Sequence, residues 1–478
     1  MHFRLVFHSI GKILLILALF MFFPLSVALG DRSADLPAFS VTIILTVLVG
    51  GVFTLIKPTG DFRRREGFAV VGVGWVLIVF LGAIPFYLSG TVTTYTDAFF
   101  ETMSGFTTTG ATILPAVESL PRGLLLWRSL THWLGGMGII VLSLALFSFR
   151  QGASLFEAEV PGLVPERIVP RLKNTAITLW LIYTVLTLVE MLALYLAGMP
   201  LFESVIHAFG TLATGGFSSR NISIEAFHSL PIEIIITFFT FLAGINFSLY
   251  YRVVKKKSLK PLLLNTETRV FVGIITLASL LITVALVTEM ALPVGEALRR
   301  AVFQVVTIIT TTGFSNDNFA AWPTFAQGIL FILMFCGGCA GSTAGGLKIA
   351  RLVVLFKYAY RLVQKTVHPR QVFQTKVEHS PLPDSVIHEI LAFFFIYIAL
   401  YAFGGLFLMA TGQEMVTSLT AAAAAIGNIG PGLAGVGPHS NYVAFAAPAK
   451  WMLSFLMLVG RLEILSILVL FSSHFWRK

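Results

Sequence analysis

The chain has 478 residues, 56% of them hydrophobic and only 12% charged, with a formal net charge of +10. An ordinary soluble surface carries about 25% charged residues, so this composition excludes a soluble globular protein and requires burial in a bilayer. The long runs of Leu, Ile, Phe and Gly lack the alternation of a barrel strand, which makes the fold class all-α and integral to a membrane.

Residues 1–60 read as an N-terminal helical hairpin. The stretch His2 to Gly30 has a basic start and an apolar body, as a signal peptide does, but Val27-Ala28-Leu29 is a poor small-residue cleavage site. A second apolar run from Phe39 to Ile56 follows at once, with Asp31, Arg32 and Asp35 at the tip between them.

From there one plan recurs four times, over residues 61–151, 152–258, 259–378 and 379–478. Each unit has a long apolar run, a half-length segment, a Gly/Thr loop and a second long run. The long pairs lie near 68–89 and 124–148, 175–198 and 231–251, 270–292 and 325–347, and 390–410 and 447–471. With the hairpin, about ten spanning helices are expected. The half-length segments carry Asp97, Glu203, Glu296 and Glu414 near their starts, where a helix macrodipole favours an acid.

The basic residues give these runs a direction. Of 33 Lys and Arg, 25 fall in the termini and in the connections around Lys57–Arg65, Arg150–Lys173, Arg252–Arg269 and Lys348–Lys376. Seven (Arg32, Arg122, Arg128, Arg220, Arg299, Arg300 and Lys450) fall on the other side, and Arg461 lies inside an apolar run. By the positive-inside rule both termini are cytoplasmic and the half-helices enter from outside. Topology and lipid headgroups account for the basic runs, and no nucleic acid is needed.

The polar loops carry the chemistry. Thr107-Thr108-Thr109-Gly110, Ala213-Thr214-Gly215-Gly216, Thr310-Thr311-Thr312-Gly313-Phe314 and Gly427-Asn428-Ile429-Gly430-Pro431-Gly432 recur at intervals of about a hundred residues, which aligns Gly110, Gly215, Gly313 and Gly430. Each follows a half-helix whose negative pole favours a cation. Non-helical backbone inside a membrane must be buried in protein or line water, and glycine lets carbonyls turn inward to replace an ion's hydration shell. A bare set of re-entrant turns would break helices without binding anything.

These loops and the order of elements resemble the Trk/Ktr/HKT potassium transporter superfamily, in particular its bacterial TrkH-type uptake subunits, over nearly the whole chain. The resemblance implies four outer helix, pore helix and inner helix units around one pore. It implies a K+ selectivity filter made of Thr108, Thr109 and Gly110, of Ala213, Thr214 and Gly215, of Thr311, Thr312 and Gly313, and of Asn428, Ile429 and Gly430. In that superfamily Ser in the first loop goes with sodium, so Gly110 points to potassium. The fourth loop departs from the Thr-x-Gly form, which leaves its contacts mostly to backbone.

Gly337, Gly338, Gly341, Ser342, Thr343, Gly345 and Gly346 belong to a small-residue stretch that interrupts the third inner run. It fits either a close helix-packing seam or a flexible segment that blocks and clears the pore, and the resemblance implies an intramembrane gating loop here. Cys336 and Cys339 are the only cysteines; two thiols without further ligands make an incomplete metal site. The likeness of Gly341 to Lys348 to a P-loop fails, because Lys348 is one place late and Ile349 stands where Ser or Thr should. Arg461, where a charge costs about 2.5–3.5 kcal/mol on insertion scales, is either buried against carbonyls or an acid, or projects into the pore as part of its constriction, which the resemblance favours. Glu190 and His207 read as structural or interfacial.

The expected function is potassium uptake across a bacterial inner membrane through a gated, channel-like pore. The alternatives are a secondary transporter coupling K+ to H+ or Na+ and, remotely, an intramembrane enzyme, for which no Ser/His/Asp, His-Glu-x-x-His or paired-carboxylate set is present. No nucleotide-binding unit is legible, so no cofactor is expected in this chain beyond K+ as the transported ion. The resemblance implies a homodimer on a cytosolic TrkA-type ring, with NAD(H) or ATP/ADP bound only by that partner. The Arg252–Lys260 and Lys357–Lys376 stretches are candidate docking surfaces.

Overall fold

The computed structural model describes residues 1–59, 63–138, 172–371, 373–377 and 380–476. Among them the regular structure is helical, apart from a two-residue antiparallel pairing that registers Lys376 with Pro381 and Val377 with Ser380. The boundary at 151/152, the far end of the run 124–148, and Arg150, Arg167, Arg171, Arg477 and Lys478 lie outside the described residues.

Among the described residues, six helices are long and apolar enough to cross a membrane. Phe3–Asp31 and Leu36–Leu55 form the hairpin. They cross so closely that a Cβ on Gly11 would lie 2.7 Å from the Gly50 carbonyl oxygen. Asp35 at the tip is buried and accepts the Leu124 N–H at 3.1 Å, while Asp31 pairs with Arg122 at 3.1 Å. These two contacts fasten the hairpin to the first repeat. The other four long helices are the outer helices Arg64–Leu88, Leu172–Leu196, Thr266–Met290 and Asp384–Ala410.

Between them lie four half-helices, Tyr95–Phe106, Leu201–Leu212, Val294–Ile309 and Met415–Ile426. At 1.5 Å per residue they reach only about 18–24 Å, too short for a bilayer core of about 30 Å. Asp97, Glu203 and Glu296 sit in their first turns and Glu414 caps the fourth, as the sequence suggests.

The inner helices differ from expectation. None of the four described segments crosses in one piece: they are Arg122–Gly136, Leu230–Ala243, Thr324–Leu333 and Ala447–Arg461. The second bends by 91° into Phe247–Lys256 and the fourth by 118° into Ile464–Phe471. The third gives way at Met334 to irregular chain as far as Lys348, before the helix Ile349–Val367. Among the described residues there are thus six continuous spans, or eight if each bent pair is one, and the run 139–148 lies outside them. The third break matches the small-residue stretch Gly337–Gly346, and periodicity missed the others because most residues around them stay apolar. Packing explains two of them: a Cβ on Gly135 would sit 1.9 Å from the Phe106 carbonyl oxygen, and one on Gly460 2.1 Å from that of Ile426. The inner helices thus end directly against the ends of the half-helices.

Candidate ion pathway

All four half-helices stop in the same way. Thr108, Thr214, Thr311 and Asn428 turn left-handed, with φ of 52°, 54°, 58° and 56°. Their N–H groups bond back to the carbonyls of Gly105, Thr211, Ile308 and Ala425. The next residues, Thr109, Gly215, Thr312 and Ile429, bond to Ser104, Gly210, Thr307 and Ala424 at 2.8–2.9 Å. This is the Schellman pattern, which usually has glycine, sometimes asparagine, at the left-handed position. Threonine there is β-branched and strained by about 1–3 kcal/mol, so three such residues in register mark a site rather than a plain helix stop.

Two residues further on, Gly110, Gly216, Gly313 and Gly430 have φ of 80°, 79°, 78° and 96°. A Cβ on Gly110 would lie 2.1 Å from the Gly215 carbonyl oxygen, one on Gly216 1.9 Å from that of Thr312, one on Gly313 1.9 Å from that of Ile429, and one on Gly430 2.5 Å from that of Thr109. Each loop touches the next and the fourth touches the first, so the four form a closed ring. The ring also corrects the second repeat. The sequence aligns Gly215 with Gly110, whereas backbone geometry aligns Gly216, and the residues matching Thr108 and Thr109 are Thr214 and Gly215 rather than Ala213 and Thr214. Ala213 caps the half-helix, as Thr107, Thr310 and Gly427 do.

The loops are braced unequally. Thr107 Oγ1 donates to the Met103 carbonyl at 2.6 Å and meets Thr109 Oγ1 at 2.8 Å; Thr310 does the same with Val306 at 2.7 Å and Thr312 at 2.8 Å. Loops two and four lack those hydroxyls. In the fourth, Asn428 Nδ2 donates to Thr109 Oγ1 at 3.1 Å and to the Met457 carbonyl at 2.8 Å. Its side chain thereby closes the ring from loop four to loop one.

Above the ring, a cleft lined by its four glycines also meets Arg128. Arg128 and Glu101, both buried, pair at 2.6 Å. The guanidinium donates to the Ser218 carbonyl at 2.9 Å and stacks 3.5 Å over Phe217, while the carboxylate takes the Ile113 N–H at 3.0 Å. This pair ties repeat one to repeat two, and sequence reasoning missed it. The available signal was Glu101 itself, an acid inside an apolar half-helix. Asp97 likewise pairs with Lys450 at 2.6 Å, and Glu203 with Arg220 at 2.7 Å. Six of the seven basic residues assigned to this side are in ion pairs here.

Beneath the ring the glycine-rich stretch is held by backbone bonds. Gly337 N–H bonds the Leu347 carbonyl at 2.6 Å, Cys339 N–H that of Gly244 at 2.8 Å, and Phe247 N–H that of Gly341 at 3.0 Å. Ser342 Oγ donates to the Cys339 carbonyl at 2.6 Å. Gly338 and Gly346 lie within this fold: the Gly338 carbonyl takes the Ile349 N–H at 3.2 Å, and Gly346 has φ of 65°. Two contacts reach the ring and its half-helices. Gly345 N–H donates to Thr311 Oγ1 at 2.7 Å, and Thr343 Oγ1 donates to the Leu212 carbonyl at 2.9 Å.

Arg461 joins this stretch to the rest. Its guanidinium donates to the carbonyls of Thr343 at 2.7 Å, Gly135 at 2.7 Å and Gly136 at 2.6 Å. It therefore ties repeat four to repeats three and one, and it meets the carbonyl end of the first inner helix, where a cation is favoured. Beside it Lys348 Nζ donates to the Ala344 carbonyl, and Arg351 pairs with Glu463 while stacking 4.0 Å over Phe393. Cys336 and Cys339 are free thiols, and among the described residues no three His, Cys, Asp or Glu converge as metal ligands. His207 bonds Ser218 Oγ at 3.0 Å and the Glu203 carbonyl at 2.8 Å, a structural role, and Glu190 is buried on the second outer helix.

Half-helices whose carbonyl ends converge on a closed ring of loops, inside a bundle of apolar spans, define an integral membrane transport protein built on re-entrant segments. Comparison with known proteins places it more closely. The family model for TrkH, a cation transport protein, matches residues 36–478, and the chain belongs to that family. It is 38% identical over 488 residues to the Trk system potassium uptake protein TrkH of Salmonella typhimurium, covering all of both chains. It is 34% identical to the Trk system potassium uptake protein TrkG of Escherichia coli, covering all of this chain and 99% of TrkG. The crystal structure of the potassium transporter TrkH from Vibrio parahaemolyticus matches with a TM-score of 0.91 at 34% identity over all of both chains.

Proposed function

We propose that this chain carries potassium into a bacterial cell across the inner membrane, with both termini cytoplasmic, through the ring of loops acting as a selectivity filter. The observation that carries this reading is the closure of four equivalent loops at four helix C-termini, which presents backbone carbonyls in a field that favours a cation. Its filter residues are Thr108, Thr109 and Gly110, Thr214, Gly215 and Gly216, Thr311, Thr312 and Gly313, and Asn428, Ile429 and Gly430. Relatives of matching length named as potassium uptake proteins support potassium as the ion.

The stretch Gly337 to Gly346 with Arg461 is the gate. The bonds from Gly345 to Thr311 and from Arg461 to Thr343 hold it against the underside of the ring, and breaking them opens the path. The force comes from a cytosolic nucleotide-binding ring of the TrkA type, which docks on the Lys357–Lys376 surface of a homodimer and supplies any NAD(H) or ATP/ADP sensitivity. The test is uptake of radioactive rubidium into proteoliposomes. The proposal expects competition by external K+ and little by Na+; equal competition by both ions would remove potassium selectivity from the account.

A further inference from the structure

The second inner helix turns by 91° at Gly244–Asn246 into Phe247–Lys256. If the inner helix runs across the bilayer, the second segment lies along its surface. The chain then passes through Leu259 and the short helix Lys260–Leu263 before the third outer helix begins at Thr266. Between these elements lies a cleft of ≈ 780 Å³, within the range of small-molecule sites, about 300–1,000 Å³.

Its lining has one sign of charge. Arg252, Lys256, Lys260 and Arg269 all border it and are exposed, and among the described residues no carboxylate does. Arg269 is held at the rim by an Nε bond to the Leu263 carbonyl at 2.8 Å. The first residue of the 25-residue third outer helix also faces the cleft, adding the positive pole of its dipole. A polyanionic or phosphate-bearing group fits this surface.

The surroundings narrow the ligand. Leu264, which lines the cleft, is 61% exposed, and Leu259 and Leu263, next in the chain to its lining residues, are 62% and 63% exposed, with Val254 at 75%. Such a fringe on a segment lying along the membrane surface belongs against acyl chains. A soluble anion would use the cations and leave the leucines in water, whereas an amphiphile uses both.

We propose that this cleft binds the phosphate headgroup of an anionic phospholipid, with Lys256, Lys260, Arg252 and Arg269 around the phosphate and the acyl chains along Leu259, Leu263 and Leu264. The site sits where the second inner helix breaks, and at that break the Gly244 carbonyl accepts the Cys339 N–H and the Phe247 N–H donates to the Gly341 carbonyl, both partners lying in the glycine-rich stretch. Lipid occupancy therefore stiffens the segment on which the glycine-rich stretch rests.

The test uses the full chain purified in detergent, with retained phosphatidylglycerol counted by native mass spectrometry and thermal unfolding followed with phosphatidylglycerol, phosphatidylcholine or inorganic phosphate added. The proposal expects K256Q/K260Q to lower phosphatidylglycerol retention roughly 10- to 30-fold, since each cation near the surface contributes on the order of a severalfold factor. K256R/K260R should retain the lipid, and the neighbouring pair K255Q/K257Q, which does not line the cleft, should stay within about twofold of the parent. Phosphatidylglycerol alone should raise the unfolding temperature. Equal losses in both lysine pairs, unchanged retention in K256Q/K260Q, or stabilisation by inorganic phosphate as large as that by the lipid would each overturn it.

Discussion

Replacing Gly216 with alanine would place a methyl group 1.9 Å from the Thr312 carbonyl oxygen at a backbone φ of 79°. Real Cβ atoms do not approach closer than about 3.0 Å, so the Thr312 carbonyl has to move by about 1 Å or the loop has to rotate. Left-handed strain alone is about 1–3 kcal/mol, and 1.4 kcal/mol is a factor of ten in an equilibrium. Gly216→Ala should therefore lower the K+ to Na+ permeability ratio by about tenfold or more. Gly215→Ala differs in kind. Its methyl would meet the His132 imidazole at 2.2 Å rather than a carbonyl of the ring, so it should reduce stability and yield, and His132→Ala in the same chain should relieve it. Reversal potentials under opposed K+ and Na+ in planar bilayers read the ratio, and thermal unfolding reads the relief. If Gly215→Ala lost selectivity while Gly216→Ala kept it, the register read from the backbone would be wrong.

Gly110→Ser should also erode K+ over Na+ selectivity, because its side chain enters within 2.1 Å of the Gly215 carbonyl oxygen; an unchanged permeability ratio would sink the filter assignment. Arg461→Ala removes three charge-assisted bonds to carbonyls, each worth about 1.5–3 kcal/mol, and should raise basal flux at least tenfold, with a normally expressed variant of wild-type flux counting against the gate. Thr311→Val strands the buried Gly345 N–H at a cost of about 1–3 kcal/mol, and should raise flux in the same assay by a smaller factor. Glu101→Gln leaves Arg128 buried without its anion, an imbalance worth about 3–5 kcal/mol, and should lower the unfolding temperature by several degrees; a variant as stable as the parent would remove the pair from the scaffold.

The fold class and the four half-helices were legible because they depend on composition and length. Asp97, Glu203, Glu296 and Glu414 stand out as acids at the starts of short apolar segments, and the structure places them there. The break in the third inner run was legible as the Gly337–Gly346 stretch, and the breaks in the other inner helices were not. Around Gly135 and Gly460 the runs stay largely apolar apart from Arg461, and the helices end there in close packing against Phe106 and Ile426, a contact between distant parts of the chain. The slip at Gly215 has a similar origin. Two glycines stand side by side, and only the left-handed turn at Thr214 decides which one faces the ring. For Arg461 the sequence left two environments open, and the structure supplies carbonyl partners at the point where three repeats meet. Arg128 was only one of the basic residues counted on the outer side, because its partner Glu101 lies 27 residues away.

Conduction through one ring of carbonyls is tested most directly by the reconstituted chain in a voltage-clamped bilayer with opposed K+ and Na+ gradients and an imposed proton gradient. The account predicts a current that reverses at the potassium equilibrium potential and is indifferent to the proton gradient. A reversal potential displaced by that gradient would contradict it and indicate coupled transport.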